Sequence, residues 1–129
     1  MPESAIICVD DEVVILDSLK EQLKRSFGNN FIYEGAESAE EAWEVIEELQ
    51  SDDIDIIVIV SDWLMPGTKG DEFLIQIHQR FPQLIKIMLT GQANEAAITR
   101  AKKEANLHAC LYKPWTEEEL ARIIMTALK

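Results

Sequence analysis

The run Ile54-Asp55-Ile56-Ile57-Val58-Ile59-Val60-Ser61-Asp62 constrains this chain more than any other stretch. It is almost continuously apolar and rich in β-branched side chains. That is the make-up of a strand buried on both faces, inside a parallel sheet covered by helices. The run stops on an aspartate, and Trp63-Leu64-Met65-Pro66-Gly67 then turns the chain into a loop. A carboxylate at the carboxyl end of such a strand stands where open α/β sheets hold their ligands. Taken alone, Asp62 reads better as a loop residue that solvates the strand end. The other strand ends shift that balance.

At 129 residues the chain is read as one domain, 1–129, with enough interior to fold without disulfides or a structural metal. No apolar run approaches the ~20 residues of a membrane helix. Met1-Pro2-Glu3-Ser4 lacks the basic-then-apolar pattern of a signal peptide, so a cytoplasmic protein without membrane contact is expected. Cys8 and Cys110 lie in apolar, strand-like runs without CxxC spacing and are read as reduced small hydrophobes. His78 and His108 are isolated, and neither is read as a metal ligand. The net charge of -12 opposes contact with phosphate backbones, so no direct nucleic-acid binding is expected. It suits a magnesium site, although acidic helix faces that keep the domain soluble account for most of it.

Along the chain, strands and helices alternate. Ala5 to Val9 is a short buried strand that runs into Asp10-Asp11-Glu12. Leu16, Leu19, Leu23 and Phe27 mark one face of a first helix, ended by Gly28. Phe31 to Ala36 reads as a second strand. Ser38-Ala39-Glu40-Glu41 is a capping box opening a helix whose buried stripe includes Trp43, Ile46 and Leu49. After the central strand, a third helix from about Asp71 buries Phe73, Leu74, Ile77 and Phe81 and stops before Pro82. Leu84 to Leu89 is a fourth strand, closing on Thr90-Gly91. Asn94 is read as the cap of a weakly amphipathic fourth helix with Ala97, Ile98 and Ala101 inward, the least firmly held of the helices. Leu107 to Tyr112 makes a fifth strand leading into Lys113-Pro114. Thr116-Glu117-Glu118-Glu119 is a second capping box, before Leu120, Ile123, Ile124 and Ala127. Trp63 is expected near the entrance of the site and Trp115 at the base of the last helix. The pattern predicts an α/β fold: a five-stranded parallel sheet, order 2-1-3-4-5, with right-handed crossovers and five helices on both faces, flavodoxin-like.

In that topology the carboxyl ends of four strands converge on one edge. They deliver Asp10 and Asp11, Asp62, Thr90 and Lys113. Each has an ordinary explanation as a cap, a strand end or a solvated loop residue. Their joint occurrence around one crevice favours function. Three clustered carboxylates favour a hard divalent cation, with Mg²⁺ preferred because it takes few carboxylates plus waters and phosphate oxygens. A lysine and a hydroxyl suit the charge of a transferring phosphoryl group. Asp62 is then the nucleophile that becomes an aspartyl-phosphate.

With these residues in place, the sequence closely resembles the receiver domain of two-component response regulators across essentially its whole length. The resemblance is carried by Asp10-Asp11, by Asp62-Trp63-Leu64-Met65-Pro66-Gly67-Thr68-Lys69-Gly70 with its D-x-x-M-P-x-x-x-G pattern, by Thr90-Gly91 and by Lys113-Pro114. It implies a phosphorelay switch in which Asp62 accepts a phosphoryl group from a sensor histidine kinase or a histidine phosphotransfer protein. It also implies Mg²⁺ held by Asp11, Asp62 and the main-chain carbonyl of Leu64, with Asp10 helping through water. Thr90 and Lys113 would contact the phosphoryl group. An output face of helix 4, strand 5 and helix 5, roughly residues 94–128, would control a homodimer, a partner or an output domain. The only phosphoryl chemistry implied is self-directed, including autodephosphorylation. Leu64 and Gln92 stand where the family tunes phosphate lifetime, and an apolar Leu64 implies slow hydrolysis.

One position departs from the family. Cys110 occupies the place of an aromatic ring that turns inward as the threonine moves. Tyr112, two residues on and on the same strand face, either takes part of that role or packs against the last helix. Other functions fit less well. A phosphatase of the haloacid dehalogenase class needs a second acid two residues after its nucleophile, where this chain has Leu64. A flavin mononucleotide carrier needs a Ser/Thr/Gly-rich loop where Asp10-Asp11-Glu12 stands. A binding module that signals without phosphate keeps the fold, and the complete residue set argues against it.

Overall fold

The computed structural model describes residues 4–91 and 95–128. Five strands, β1 (Ser4–Val9), β2 (Ile32–Ala36), β3 (Asp55–Asp62), β4 (Ile85–Thr90) and β5 (Ala109–Tyr112), form one parallel sheet of order β2-β1-β3-β4-β5. Between them run α1 (Val13–Phe27), α2 (Ala39–Ser51), α3 (Gly70–Arg80), α4 (Glu95–Glu104) and α5 (Glu117–Ala127). The predicted topology is the observed one.

Strand alternation divides the core in two. Ile7, Val9, Ile59 and Met88 face α2, α3 and α4, while Ile6, Cys8, Val58, Val60, Ile87 and Leu89 face α1 and α5. The expected stripes are where they belong: Leu16, Leu19 and Leu23 on α1, Ile46 and Leu49 on α2, Phe73, Leu74 and Ile77 on α3, and Leu120 and Ile124 on α5 are all buried. Each such side chain withdrawn from water contributes about 1.5–3 kcal/mol before entropy is counted. Trp43 is only partly buried. Its ring meets Phe73 edge-on at 5.8 Å, and the Arg80 guanidinium covers it at 4.9 Å, so its place is structural. On α4 the inward stripe is Ala97, Ile98 and Ala101, small for the helix length. Trp115 sits beside α1, its indole N–H donating to Gln22 at 2.7 Å.

The ends differ from expectation in instructive ways. Gly28 ends α1 at φ +59, and a short 3-10 turn, Gly28–Asn30, precedes β2. The capping box is complete at α5, where Thr116 and Glu119 bond reciprocally; at α2, Ser38 Oγ accepts the Glu41 amide without the return bond. β5 begins at Ala109 rather than Leu107, because Asn106 turns the chain at φ +52 and the Leu107 amide is taken by Ala101. Asn94 and Gln92 lie outside the described residues. Lys86, inside β4, is 1% exposed. Its ammonium donates to the Leu84 carbonyl at 2.6 Å, and burial pulls its pKa down to about 8.

Among the described residues no helix is long and apolar enough to cross a membrane.

Candidate functional site

The site grows from the point where the strand order reverses, between β1 and β3, where a crevice opens above the sheet. Val9 pairs with Ser61, which sets the next residues, Asp10 and Asp62, side by side. Asp10, Asp11 and Asp62 each offer a carboxylate oxygen within 4.8 Å of the others, the one such acidic cluster among the described residues. Asp10 is fully buried and Asp62 is 5% exposed, while Asp11 reaches solvent.

Buried carboxylates require partners. Asp10 has them: Oδ1 accepts the Glu12 amide at 2.9 Å and Oδ2 accepts from Lys113 Nζ at 2.9 Å. The same ammonium lies 3.1 Å from Asp62 Oδ1, so one cation serves two of the three anions. β5 aims it there. Tyr112 pairs with Thr90, and the Lys113 amide donates to the Thr90 carbonyl at 2.9 Å, just before a cis Lys113-Pro114 bond. Thr90 is itself buried at the end of β4.

The loop after Asp62 is pinned on several sides. The Trp63 amide donates to Leu89, the Gly70 amide to the Trp63 carbonyl, and Thr68 Oγ1 to Glu40 of α2 at 3.0 Å. A Cβ at position 70 would lie 2.3 Å from the Asp62 carbonyl oxygen and 2.7 Å from Trp63 Cα. Only glycine lets α3 begin that close to the end of β3. Trp63 stands at the rim, where Lys69 covers its ring at 5.4 Å and Asp71 accepts its indole N–H at 3.2 Å.

These elements enclose an open cavity of about 530 Å³ lined by Asp11, Glu12, Asp62, Leu64, Thr90 and Lys113, among others. Every strand-end residue singled out in the sequence is therefore at this crevice: Asp10 beneath it, the rest on its walls. A larger cleft of about 890 Å³ opens at the opposite end of β3 and β4, between Asp53 and Arg80, and holds none of them.

Electrostatics distinguish Asp62. Burial first, and the neighbouring Asp10 charge second, push its pKa from 3.8 to about 6, against the pull of Lys113. On Lys113 burial works to lower the pKa, but the bonds and charges of Asp10 and Asp62 outweigh it and leave it raised. The result is a fixed ammonium beside a carboxylate held in a site that favours neutralisation. Hard oxygen donors in excess of cations suit a divalent metal ion.

Cys110 and Tyr112 share a strand face, as expected, and of the two readings of Tyr112 the packing against the last helix is not what the structure has. Leu111 faces α5, so Tyr112 points to the opposite side of the sheet and does not pack against the last helix. Tyr112 is 52% exposed, while Cys110 packs against the α2–α4 side of the core. His108 bonds Thr126 at 3.1 Å, as a surface residue. Sequence reasoning missed Asp71 and Arg100, which meet beside Trp63. An acid in the first turn of a helix has a sufficient local explanation in the helix dipole, so nothing in the sequence marked it.

The comparisons with known proteins agree with this geometry. Residues 6–125 match the response regulator receiver domain. The chain is 27% identical to the hydrogenase transcriptional regulatory protein HoxA of Cupriavidus necator over 127 residues, covering 98% of this chain but 24% of that regulator. It therefore spans about a quarter of that relative. A chemotaxis protein CheY homolog of Campylobacter jejuni is 27% identical over 117 residues, covering 89% of this chain and 85% of its own. Among solved structures, the signal receiver domain of an HD domain-containing protein from Pseudomonas fluorescens Pf-5 superposes with a TM-score of 0.86 at 26% identity, covering 99% and 95% of the two chains. The beryllofluoride-activated NtrC4 receiver domain dimer gives 0.81 at 27% identity, covering 97% and 95%. With its sheet order, its strand-end residues and a match over residues 6–125, the chain belongs to the receiver domain family of two-component response regulators.

Proposed function

We propose that this domain is the phosphoacceptor switch of a phosphorelay, with Asp62 as the residue that takes the phosphoryl group. The observation that carries the reading is the joint placement of Asp62, Lys113 and the Asp10–Asp11 pair in one crevice, with Lys113 Nζ 3.1 Å from the proposed nucleophile. An Asp62 oxygen attacks phosphorus of a phosphohistidine. The O–P bond forms as the P–N bond breaks, and the imidazole leaves with the electron pair and takes a proton. Lys113 would hold a phosphoryl oxygen and Thr90 would donate to another. Mg²⁺, when bound by Asp11, Asp62 and the Leu64 carbonyl with Asp10 behind, supplies the positive charge that lets a phosphate donor approach three carboxylates. The donor is a sensor histidine kinase or a histidine phosphotransfer protein. No external phosphoester is turned over; the other phosphoryl step is slow hydrolysis of the domain's own aspartyl-phosphate, because Leu64 offers an attacking water no polar guide.

The output is a change in the α4–β5–α5 face that alters a homodimer, a partner or a linked domain. The dimeric NtrC4 receiver supports the homodimer option by analogy. The test is transfer from a purified phosphohistidine phosphotransfer domain. Radiolabel should pass to this chain in the presence of Mg²⁺ and not to Asp62→Asn. Equal labelling of the mutant would reject Asp62 as acceptor.

A further inference from the structure

The loop that follows Asp62 is tied to α4 by a chain of side chains that the chemistry above does not use. Trp63, next to Asp62, donates its indole N–H to Asp71 Oδ1 at 3.2 Å. Arg100 of α4 reaches Asp71 Oδ2 at 3.3 Å, Glu72 at 2.7 Å and Glu104 at 3.2 Å. Asp71 is 8% exposed, and both of its oxygens are engaged, one by each neighbour. The geometry leaves little slack. α3 starts against the Asp62 main chain because Gly70 allows it, and Asp71 is the next residue.

α4 needs such a tie. Its buried stripe is Ala97, Ile98 and Ala101, so apolar packing holds it less firmly than α3, which buries Phe73, Leu74, Ile75 and Ile77. The planar guanidinium fork suits contact with several carboxylates at once, and Arg100 spends it on α3 and on its own helix. The Trp63–Asp71–Arg100 chain runs from the loop after Asp62 to α4 through side-chain contacts alone.

We propose that Asp71 is a positioning residue for Asp62: bonded by Trp63 on one oxygen and Arg100 on the other, it fixes the acceptor loop against α4 and couples the two. Coupling between sites is reciprocal. Loosening Arg100 must therefore change how the acceptor site binds its ligands, and binding there must change α4. The inference rests on the phosphoacceptor reading.

The test is calorimetric titration of Mg²⁺ with beryllofluoride, a phosphoryl analogue, into wild type, Arg100→Met, Trp63→Phe and the double variant, with melting temperatures recorded for each. Arg100 is partly exposed, so the expected loss of affinity in Arg100→Met is about two- to fivefold. Arg100→Lys keeps the charge without the fork and should recover part of it. The double variant should lose no more than the larger single loss, because both act through Asp71. In wild type, amide shifts in α4 should accompany binding and shrink in Arg100→Met. Wild-type affinity in a folded Arg100→Met, or strict additivity in the cycle, overturns the coupling while leaving the phosphoacceptor reading intact. Failure of wild type to bind overturns both.

Discussion

Asp62 is held in the folded chain at a cost, and Asp62→Asn should make the domain more stable. Its pKa rises from 3.8 to about 6 because burial and then the Asp10 charge disfavour the carboxylate. In the unfolded chain it ionises near the ordinary value. At pH 7 both states are charged, so the folded state carries the whole penalty. The interval corresponds to about 3 kcal/mol. The raised value already contains the opposing pull of Lys113, and the crevice opens to solvent, which screens part of the penalty, so the net gain should be about 1–2 kcal/mol. For a chain this size that is a rise in Tm of about 3–10 °C. The sign has a second consequence. A raised folded pKa means that the folded state binds a proton first as pH falls, so the wild-type penalty is relieved through about pH 6 and gone near 3.8. The difference between wild type and Asp62→Asn, measured by urea unfolding without divalent cations, should shrink over that window. Added Mg²⁺ should raise wild-type stability and affect the variant less. A variant no more stable than wild type at pH 7, or a difference independent of pH, would refute the reasoning.

Lys86→Met should also stabilise. Burial lowers the folded pKa from 10.5 to about 8, so the penalty on wild type is full below 8 and fades as pH rises towards 10.5; the methionine variant should be ahead by about 1–3 kcal/mol at pH 7 and its lead should narrow over that window; the difference between the two melts at pH 7 and 10 decides it. Lys113→Met should destabilise by about 2–4 kcal/mol, because Asp10 and Asp62 lose their shared ammonium; partial recovery in millimolar Mg²⁺, read by the same melts, would identify the loss as electrostatic. Gly70→Ala should cost at least about 1–3 kcal/mol and disturb the Trp63 fluorescence, since its Cβ would lie 2.3 Å from a main-chain oxygen; a variant that melts with wild type would contradict the close approach.

The layout of the sheet and the crevice was legible because both rest on pattern. Apolar β-branched runs ending in Asp10, Asp62, Thr90 and Lys113 place those groups at one edge once the strands are parallel. What escaped depends on contacts between distant residues. Lys86 looks like a solvent-facing break in a strand, yet alternation turns it beneath the helices. Asp71 looks like a helix-start acid, and its link to Arg100 spans 29 positions. Tyr112 was placed on the correct strand face, but its exposure at the end of β5 is not marked by the strand pattern. The start of β5 was missed by two residues because Asn106 adopts a left-handed turn that its sequence permits without demanding.

The central claim is that Asp62 accepts a phosphoryl group with help from a divalent cation. Intact mass after incubation with acetyl phosphate, with and without Mg²⁺ and beside Asp62→Asn, tests it directly. A gain of one phosphoryl group (~80 Da) in wild type, dependent on Mg²⁺ and absent from the variant, is the predicted result. The same gain in Asp62→Asn, or one indifferent to Mg²⁺, would contradict it.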